Sequence, residues 1–314
     1  MKRSSILAAL LLAAAAAQAG APQQKGQAPG WYRMMLGDIE VTALSDGTVG
    51  LHVEKLLTGT TPKKVESALA RWRLATPVET SVNGYLVNTG SKLVLVDAGA
   101  GGLFGPTLGK LVAHLKAAGY QPEQVDEVYI THMHPDHVGG LVADGKIVFP
   151  NATVRADQRD ADFWLSQANL DAAPKDAKGF FQGAMASLKP YIDAGRFKAI
   201  ESDGELVPGV SSVATHGHTK GHRNYVVESR GQKLVLWGDL MHVAAVQFAT
   251  PAVTIQFDTD SKAALAQRRK AFAAAARGGY WVGASHLSFP GLGHLATQGA
   301  GYQFQPANYT ALNP

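Results

Sequence analysis

The amino-acid sequence predicts an α/β fold in which two β-sheets are sandwiched between helical layers. Three observations carry this expectation. Apolar runs of strand length dominate both halves of the chain, stretches with helical spacing are interspersed among them, and no low-complexity linker or fixed-period repeat divides the 314 residues.

The chain opens with Lys2 and Arg3 ahead of an apolar run from Ile6 to Ala17, shorter than the roughly 20 residues a bilayer-spanning helix needs. Ala17-Gln18-Ala19 supplies the small-x-small pattern of a cleavage site, so residues 1–19 read as a signal peptide cut before Gly20. Residues 20–314 are then expected to form one secreted domain, in a bacterial periplasm and without a membrane anchor. The absence of cysteine excludes both a lipid-anchored variant and any disulfide. Losing Lys2 and Arg3 takes the formal charge from +4 to +2, and the remaining basic residues are scattered, so nucleic acid is not an expected partner.

Within that domain, the runs Ile39 to Leu44, Tyr85 to Thr89 and Leu93 to Val96 read as strands, the last two joined by the turn Asn88-Thr89-Gly90-Ser91. Thr107 to Ala118 has helical spacing and stops at Gly119, a C-cap residue. Val125 to Ile130 reads as a strand that ends where a histidine cluster begins. Helices are expected over Ala156 to Gln167, Gly179 to Ile192 and Ser261 to Arg277, with strands at Val210 to Thr215, Asn224 to Glu228 and Leu234 to Trp237.

The cluster is Thr131-His132-Met133-His134-Pro135-Asp136-His137. His132 and His134 alternate on an extended segment and can present two imidazoles to one metal, while Asp136 and His137 turn toward a neighbouring position. Four such side chains within six residues are far denser than scattered, solvated surface histidines. Imidazole and carboxylate donors suit zinc, and a hydrolytic site leaves a coordination position open for water. A purely structural zinc would draw on cysteine, which this chain lacks. Manganese, iron or cobalt would accept the same donors.

Further motifs flank the cluster, one before and three after, and with it they resemble the metallo-β-lactamase superfamily. They are Leu93-Val94-Leu95-Val96-Asp97-Ala98-Gly99, Gly217-His218-Thr219-Lys220-Gly221-His222, Trp237-Gly238-Asp239-Leu240 and Ala284-Ser285-His286-Leu287. The resemblance implies an αββα sandwich and two divalent metal ions, zinc by default. One metal would take His132, His134 and His218, the other Asp136, His137 and His286, with Asp239 shared between them. It implies a hydroxide shared by both metals as the nucleophile, with Asp136 and Asp239 as catalytic carboxylates. Asp97 would support a ligand histidine from behind, as His222 would by a hydrogen bond. His52, His114 and His294 lie outside the motifs and read as packed or exposed; His216 reads as a supporting residue.

Within the superfamily the chain is most similar to the methyl parathion hydrolase group of secreted dinuclear enzymes related to lactonases. Gly102 to Leu108, Ala161 to Gln167 and Ala284 to Gly291 carry that resemblance. It implies a homodimer and an aromatic pocket of Phe104, Trp164 and Phe180. The chain departs from the organophosphate hydrolase pattern at His242, Leu57, Ile255 and Phe257 and is one residue shorter near Asp176-Ala177-Lys178. These departures resemble lactone hydrolases acting on aryl esters and aromatic lactones such as dihydrocoumarin. The expected substrate is therefore a small lactone or aryl ester, with phosphotriester hydrolysis as a side reaction. The alternatives are a methyl parathion hydrolase proper, an acyl-homoserine lactonase, a glyoxalase-type thioesterase and a metal-binding protein without turnover. A β-lactamase that places cysteine where Asp239 stands is excluded by composition.

Overall fold

The computed structural model describes residues 21–312; the expected signal peptide lies outside them. Residues 31–200 build one seven-stranded sheet and residues 204–306 a second, so each half of the chain contributes its own layer. In the first sheet, spatial order follows chain order: Trp31–Leu36, Ile39–Leu51, Val78–Asn88, Leu93–Val96, Glu127–Tyr129, Thr153–Asp157 and Phe197–Ile200. The first four strands pair antiparallel and the rest parallel.

Leu93–Val96 shows why a continuous apolar run forms a central strand. Side chains alternate across a sheet; here Leu93 and Leu95 enter the core beneath the helices, while Val94 and Val96 enter the core between the sheets. The inter-sheet core joins Val41, Val87 and Tyr129 to Val210, Val227 and Leu236, with the Tyr129 and Tyr225 rings stacked at 5.3 Å. The outer faces are closed by the helix Lys178–Asp193, through Phe181, Ala184 and Leu188, and by the helix Ser261–Gly278, through Phe272 and Ala275. This is the expected αββα sandwich. No helix among the described residues is long and apolar enough to cross a membrane.

Two helix expectations are corrected. The helix foreseen from Thr107 begins only at Leu111, because Gly109 adopts φ +80° and the buried Asp46 carboxylate captures the N–H groups of Ala100, Gly109 and Leu111. The helix foreseen from Ala156 is first a strand, Thr153–Asp157, whose parallel ladder with Glu127–Tyr129 outweighs the helical spacing. Asp157 then caps the helix Gln158–Trp164 by accepting from the Arg159 N–H at 2.8 Å. The helix Pro62–Arg71 and the strands Trp31–Leu36, Leu292–Gln298 and Gly301–Pro306 had no counterpart in the expectation.

Candidate metal centre

The buried strand Glu127–Tyr129 delivers the histidine cluster to one end of the sandwich. Beyond Ile130, whose carbonyl accepts from the Tyr225 hydroxyl, the chain runs extended through His132 to His134. Pro135 then starts a single helical turn, Pro135–Val138, its fixed φ suiting the first helical position. That turn presents Asp136 and His137. The second half of the chain brings His218 from the loop before the strand Arg223–Ser229, Asp239 from just beyond the strand Gln232–Leu236, and His286 from just beyond Trp281–Gly283.

The donors converge in two sets, and a third, overlapping group sets His242 with Asp239 and His286. His218 Nε2 lies 3.2 Å from His132 Nε2 and 3.1 Å from His134 Nδ1, and Asp239 Oδ2 is 3.6 Å from His132 Nε2 and 3.3 Å from His218 Nε2. Ligands about 2.0–2.1 Å from a tetrahedral zinc stand about 3.3 Å apart, so this spacing fits the ion. In the second set Asp136 Oδ2 is 3.5 Å from both His137 Nε2 and His286 Nε2. Asp239 joins the sets: its Oδ1 faces His137 Nε2 at 3.4 Å, and its Oδ2 faces His286 Nε2 at 3.1 Å. His137 Nε2 and Asp239 Oδ1 are buried and have no hydrogen-bond partner among the described residues, which is costly for polar atoms not destined for a ligand. The donor chemistry fits two divalent cations.

Support from behind is equally specific. Asp97 accepts from the Thr131 N–H, the Thr131 hydroxyl and His137 Nδ1, all at 2.8 Å. His222 Nε2 accepts the Asp239 N–H at 3.0 Å, and His286 Nδ1 donates to the Ser81 carbonyl at 2.9 Å. Each contact fixes which ring nitrogen or carboxylate face turns inward. The sequence reading missed Asp258, which holds His218 Nδ1 at 2.8 Å, and Asp160, whose buried carboxylate takes the N–H groups of Met133 and Gly221 and the Thr219 hydroxyl. No spacing signals either one. Of the remaining histidines, His216 lies between Arg159 and Asp157, His114 reaches the Ser45 carbonyl, His294 packs on Trp281 and His52 pairs with Glu54, all away from the donors.

Burial raises the Asp239 and Asp136 carboxyls, but the surrounding imidazoles outweigh it and hold both well below the usual carboxylate range. Burial, reinforced by neighbouring imidazoles, pulls His132 and His134 well below the ordinary histidine value. Burial alone would also depress His218, yet its contacts with Asp239 and Asp258 lift it to about 9. Asp239 and Asp136 likewise raise His137 and His286 against their burial. A cation seated here would take the place of the protons that these carboxylates hold on His137, His218 and His286, because an imidazole ligates a metal in its neutral form.

Over the first set stands an aromatic wall. Trp164 and Phe180 meet the His134 ring edge-on at 5.2 and 5.0 Å, and Phe257 lies 6.4 Å from Phe180. Between them is a cavity of about 340 Å³ whose lining includes His134, Trp164, Phe180 and Phe257 together with the polar Asp176 and Asp258. Phe104, 43% exposed, lines an adjoining groove that shares Phe180. Leu57 and Ile255 are a correction: they pair in a two-stranded ribbon and pack into a separate small core with Val53 and Val65, lining neither hollow. His242 lies deeper than a pocket wall, its Nε2 3.2 Å from Asp239 Oδ2 and its ring stacked on His286 at 5.1 Å. Two larger hollows, of about 620 and 730 Å³, contain none of the seven donors and are not the chemical site.

Fold and donor set together point to the metal-dependent hydrolases built on an αββα sandwich. The chain belongs to the metallo-β-lactamase superfamily, whose family model matches residues 77–276. It is similar to an N-acyl homoserine lactonase of Bacillus cereus, 30% identical over 127 residues, which cover 40% of this chain and 42% of that protein. A second N-acyl homoserine lactonase, from a Bacillus species, is 29% identical over 171 residues, covering 48% of this chain and 60% of the relative. The chain thus spans about half the length of these two curated relatives. Among solved structures it is similar to the hydrolase AbOPH of the β-lactamase superfamily, with TM-score 0.86 and 38% identity over 91% of this chain and 100% of that one. It is also similar to AidC, a dizinc quorum-quenching lactonase in complex with the product N-hexanoyl-L-homoserine, with TM-score 0.83 and 26% identity over 90% and 99% of the two chains.

Proposed function

We propose that this chain is a dinuclear metal-dependent hydrolase that opens lactones and cleaves aryl esters, with phosphotriester hydrolysis as a side activity. The observation that carries the reading is the two donor groups His132-His134-His218-Asp239 and Asp136-His137-His286, which Asp239 links through His137 and His286, beneath an aromatic-walled cavity of about 340 Å³. The relatives named as lactonases support a carbonyl substrate, and the sequence runs Gly102 to Leu108, Ala161 to Gln167 and Ala284 to Gly291, which resemble the methyl parathion hydrolase group, support the side activity.

When bound, two divalent cations, zinc by the donor chemistry, would polarise the substrate oxygen and make water nucleophilic near neutral pH. The rest belongs to the chain. His132, His134 and His218 would hold one cation, Asp136, His137 and His286 the other, and Asp239 both. Asp136 is the least enclosed of these carboxylates, its side chain 20% exposed, and can accept a proton from the attacking water. Trp164, Phe180 and Phe257 offer flat faces to an aromatic leaving group and exclude bulk solvent. His242, pulled down to about 4 chiefly by burial, stays neutral at pH 7 and offers one N–H donor and one acceptor beside Asp239.

The test is the specificity constant of the zinc-loaded protein for dihydrocoumarin, phenyl acetate, an N-acyl homoserine lactone and methyl parathion, against a His134→Ala control. A lactone preference of about tenfold or more, near 1.4 kcal/mol of transition-state stabilisation, is expected; a preference for methyl parathion would overturn the substrate assignment. The same reading includes export and a homodimer of residues 20–314. N-terminal sequencing of periplasmic protein should begin at Gly20, and light scattering should give twice the chain mass.

A further inference from the structure

A buried ion pair stands behind His218. The Asp258 side chain is fully buried; its Oδ1 accepts His218 Nδ1 at 2.8 Å, while its Oδ2 accepts the Ile255 N–H at 3.3 Å and lies 3.8 Å from Nη2 of Arg268. Arg268, on the helix Ser261–Gly278, is fully buried too. Its Nε donates to the Leu240 carbonyl at 2.6 Å, and its Nη1 donates to the carbonyls of Val253 and Pro251 at 2.6 and 3.2 Å. Leu240 directly follows Asp239. One guanidinium therefore ties the residue beside the shared carboxylate to the segment whose next aspartate grips His218. Backbone bonds tighten the same seam: the Thr259 N–H reaches the His218 carbonyl at 2.8 Å, and the Asp260 N–H reaches that of Gly217 at 2.9 Å.

Burying a guanidinium and a carboxylate together is costly, and where only volume is needed apolar side chains serve as well or better. A planar fork that bonds Leu240 on one segment and Pro251 and Val253 on another does what an apolar side chain cannot, which is to set their relative positions.

We propose that Asp258 and Arg268 are a positioning pair for the metal centre. Asp258 turns His218 so that Nε2 faces Asp239, and Arg268 locks the Asp258 segment to the chain beside Asp239. The first donor set is thereby held at ligand spacing ahead of metal uptake. The inference rests on the reading of these donors as metal ligands.

Cobalt(II) is the probe. The metal-free full chain and four variants, Asp258→Asn, Asp258→Leu, Arg268→Lys and Arg268→Met, are titrated with it while the visible absorption band is followed. Asp258→Leu and Arg268→Met are expected to weaken uptake of one of the two ions at least tenfold and to shift the band. Asp258→Asn, which keeps the acceptor but loses the charge, should fall between. Arg268→Lys should not rescue, because a point charge cannot reach the carbonyls of both segments at once. Circular dichroism of each metal-free variant controls for folding, and if Arg268→Met does not fold the near-isosteric Asp258→Asn decides. Wild-type affinity and spectrum in every folded variant would overturn the pair. If the wild type takes up no cobalt, the metal reading itself fails, and the pair is judged on the His218 imidazole ¹⁵N resonances of the metal-free chain. Those must move in Asp258→Leu; unmoved resonances would sink it.

Discussion

Asp97 occupies left-handed backbone at φ +60°, a conformation that costs a non-glycine residue of order 1 kcal/mol or more. The strain is offset by three hydrogen bonds, two to Thr131 and one to His137, which fix the ring that faces both Asp136 and Asp239. Asp97→Asn should therefore lower metal affinity by about 10- to 100-fold, measured by chelator competition, with little change in the metal-free fold. His242→Leu should raise methyl parathion turnover relative to dihydrocoumarin, because it removes a polar ring stacked on His286; an unmoved ratio of the two specificity constants would count against that role. Asp160 bears on pH. Burial lifts its carboxyl from 3.8 to about 6, so the folded chain holds this proton more tightly than the unfolded one. Its contribution to stability is present below about pH 4 and is lost as pH rises to about 6. Asp160→Asn should flatten that part of the pH profile of urea unfolding. At this scale the sequence exposes His132, His134, Asp136 and His137 because four donors are packed into one turn and its approach, and exposes Asp239 and His286 through their motifs. Asp258 lies between Phe257 and Thr259 with no periodicity to mark it, and Leu57 and Ile255 read like pocket residues because nothing local tells a ribbon core from a cavity wall.

Among the elements, strands buried on both faces were legible and loops shaped by distant carboxylates were not. Leu93–Val96 declares itself by four consecutive apolar residues. The segment before Leu111 looks helical until Asp46, more than 50 positions earlier, gathers its N–H groups. The helix Ser261–Gly278 matches its sequence expectation to within a residue, since Asp260 caps its start and Gly279, at φ +62°, closes it. Its docking is less obvious and matters more. A Cβ on Gly217 would lie 2.3 Å from the Ala264 nitrogen, so only glycine lets this helix approach the loop that carries His218. Gly217→Ala should cost about 1–3 kcal/mol of unfolding free energy and weaken metal uptake as well. Gly179→Ala, where an added Cβ meets open space, should stay within about 0.5 kcal/mol by the same measurement.

For the molecule as a whole, the metal centre is a seam. His132, His134, Asp136 and His137 belong to the half that builds the first sheet, and His218, Asp239 and His286 to the half that builds the second. A cation bound there would cross-link the layers, each site adding about 4 kcal/mol when free metal exceeds its dissociation constant a thousandfold. That corresponds to a fall on the order of 10 °C in melting temperature on chelation for a domain of this size. Calorimetry with and without chelator measures it, and an unchanged midpoint would mean that the layers hold without the ions.

The crossing from one sheet to the other runs through Glu201, Ser202 and Asp203, all exposed at the surface. A protease cut there would leave two pieces, each with a complete sheet and an incomplete set of donors. Such halves, made separately, would be inert alone and would gain the proposed hydrolysis only on meeting, so that the ion becomes the rivet and turnover reports that two fused proteins have come together.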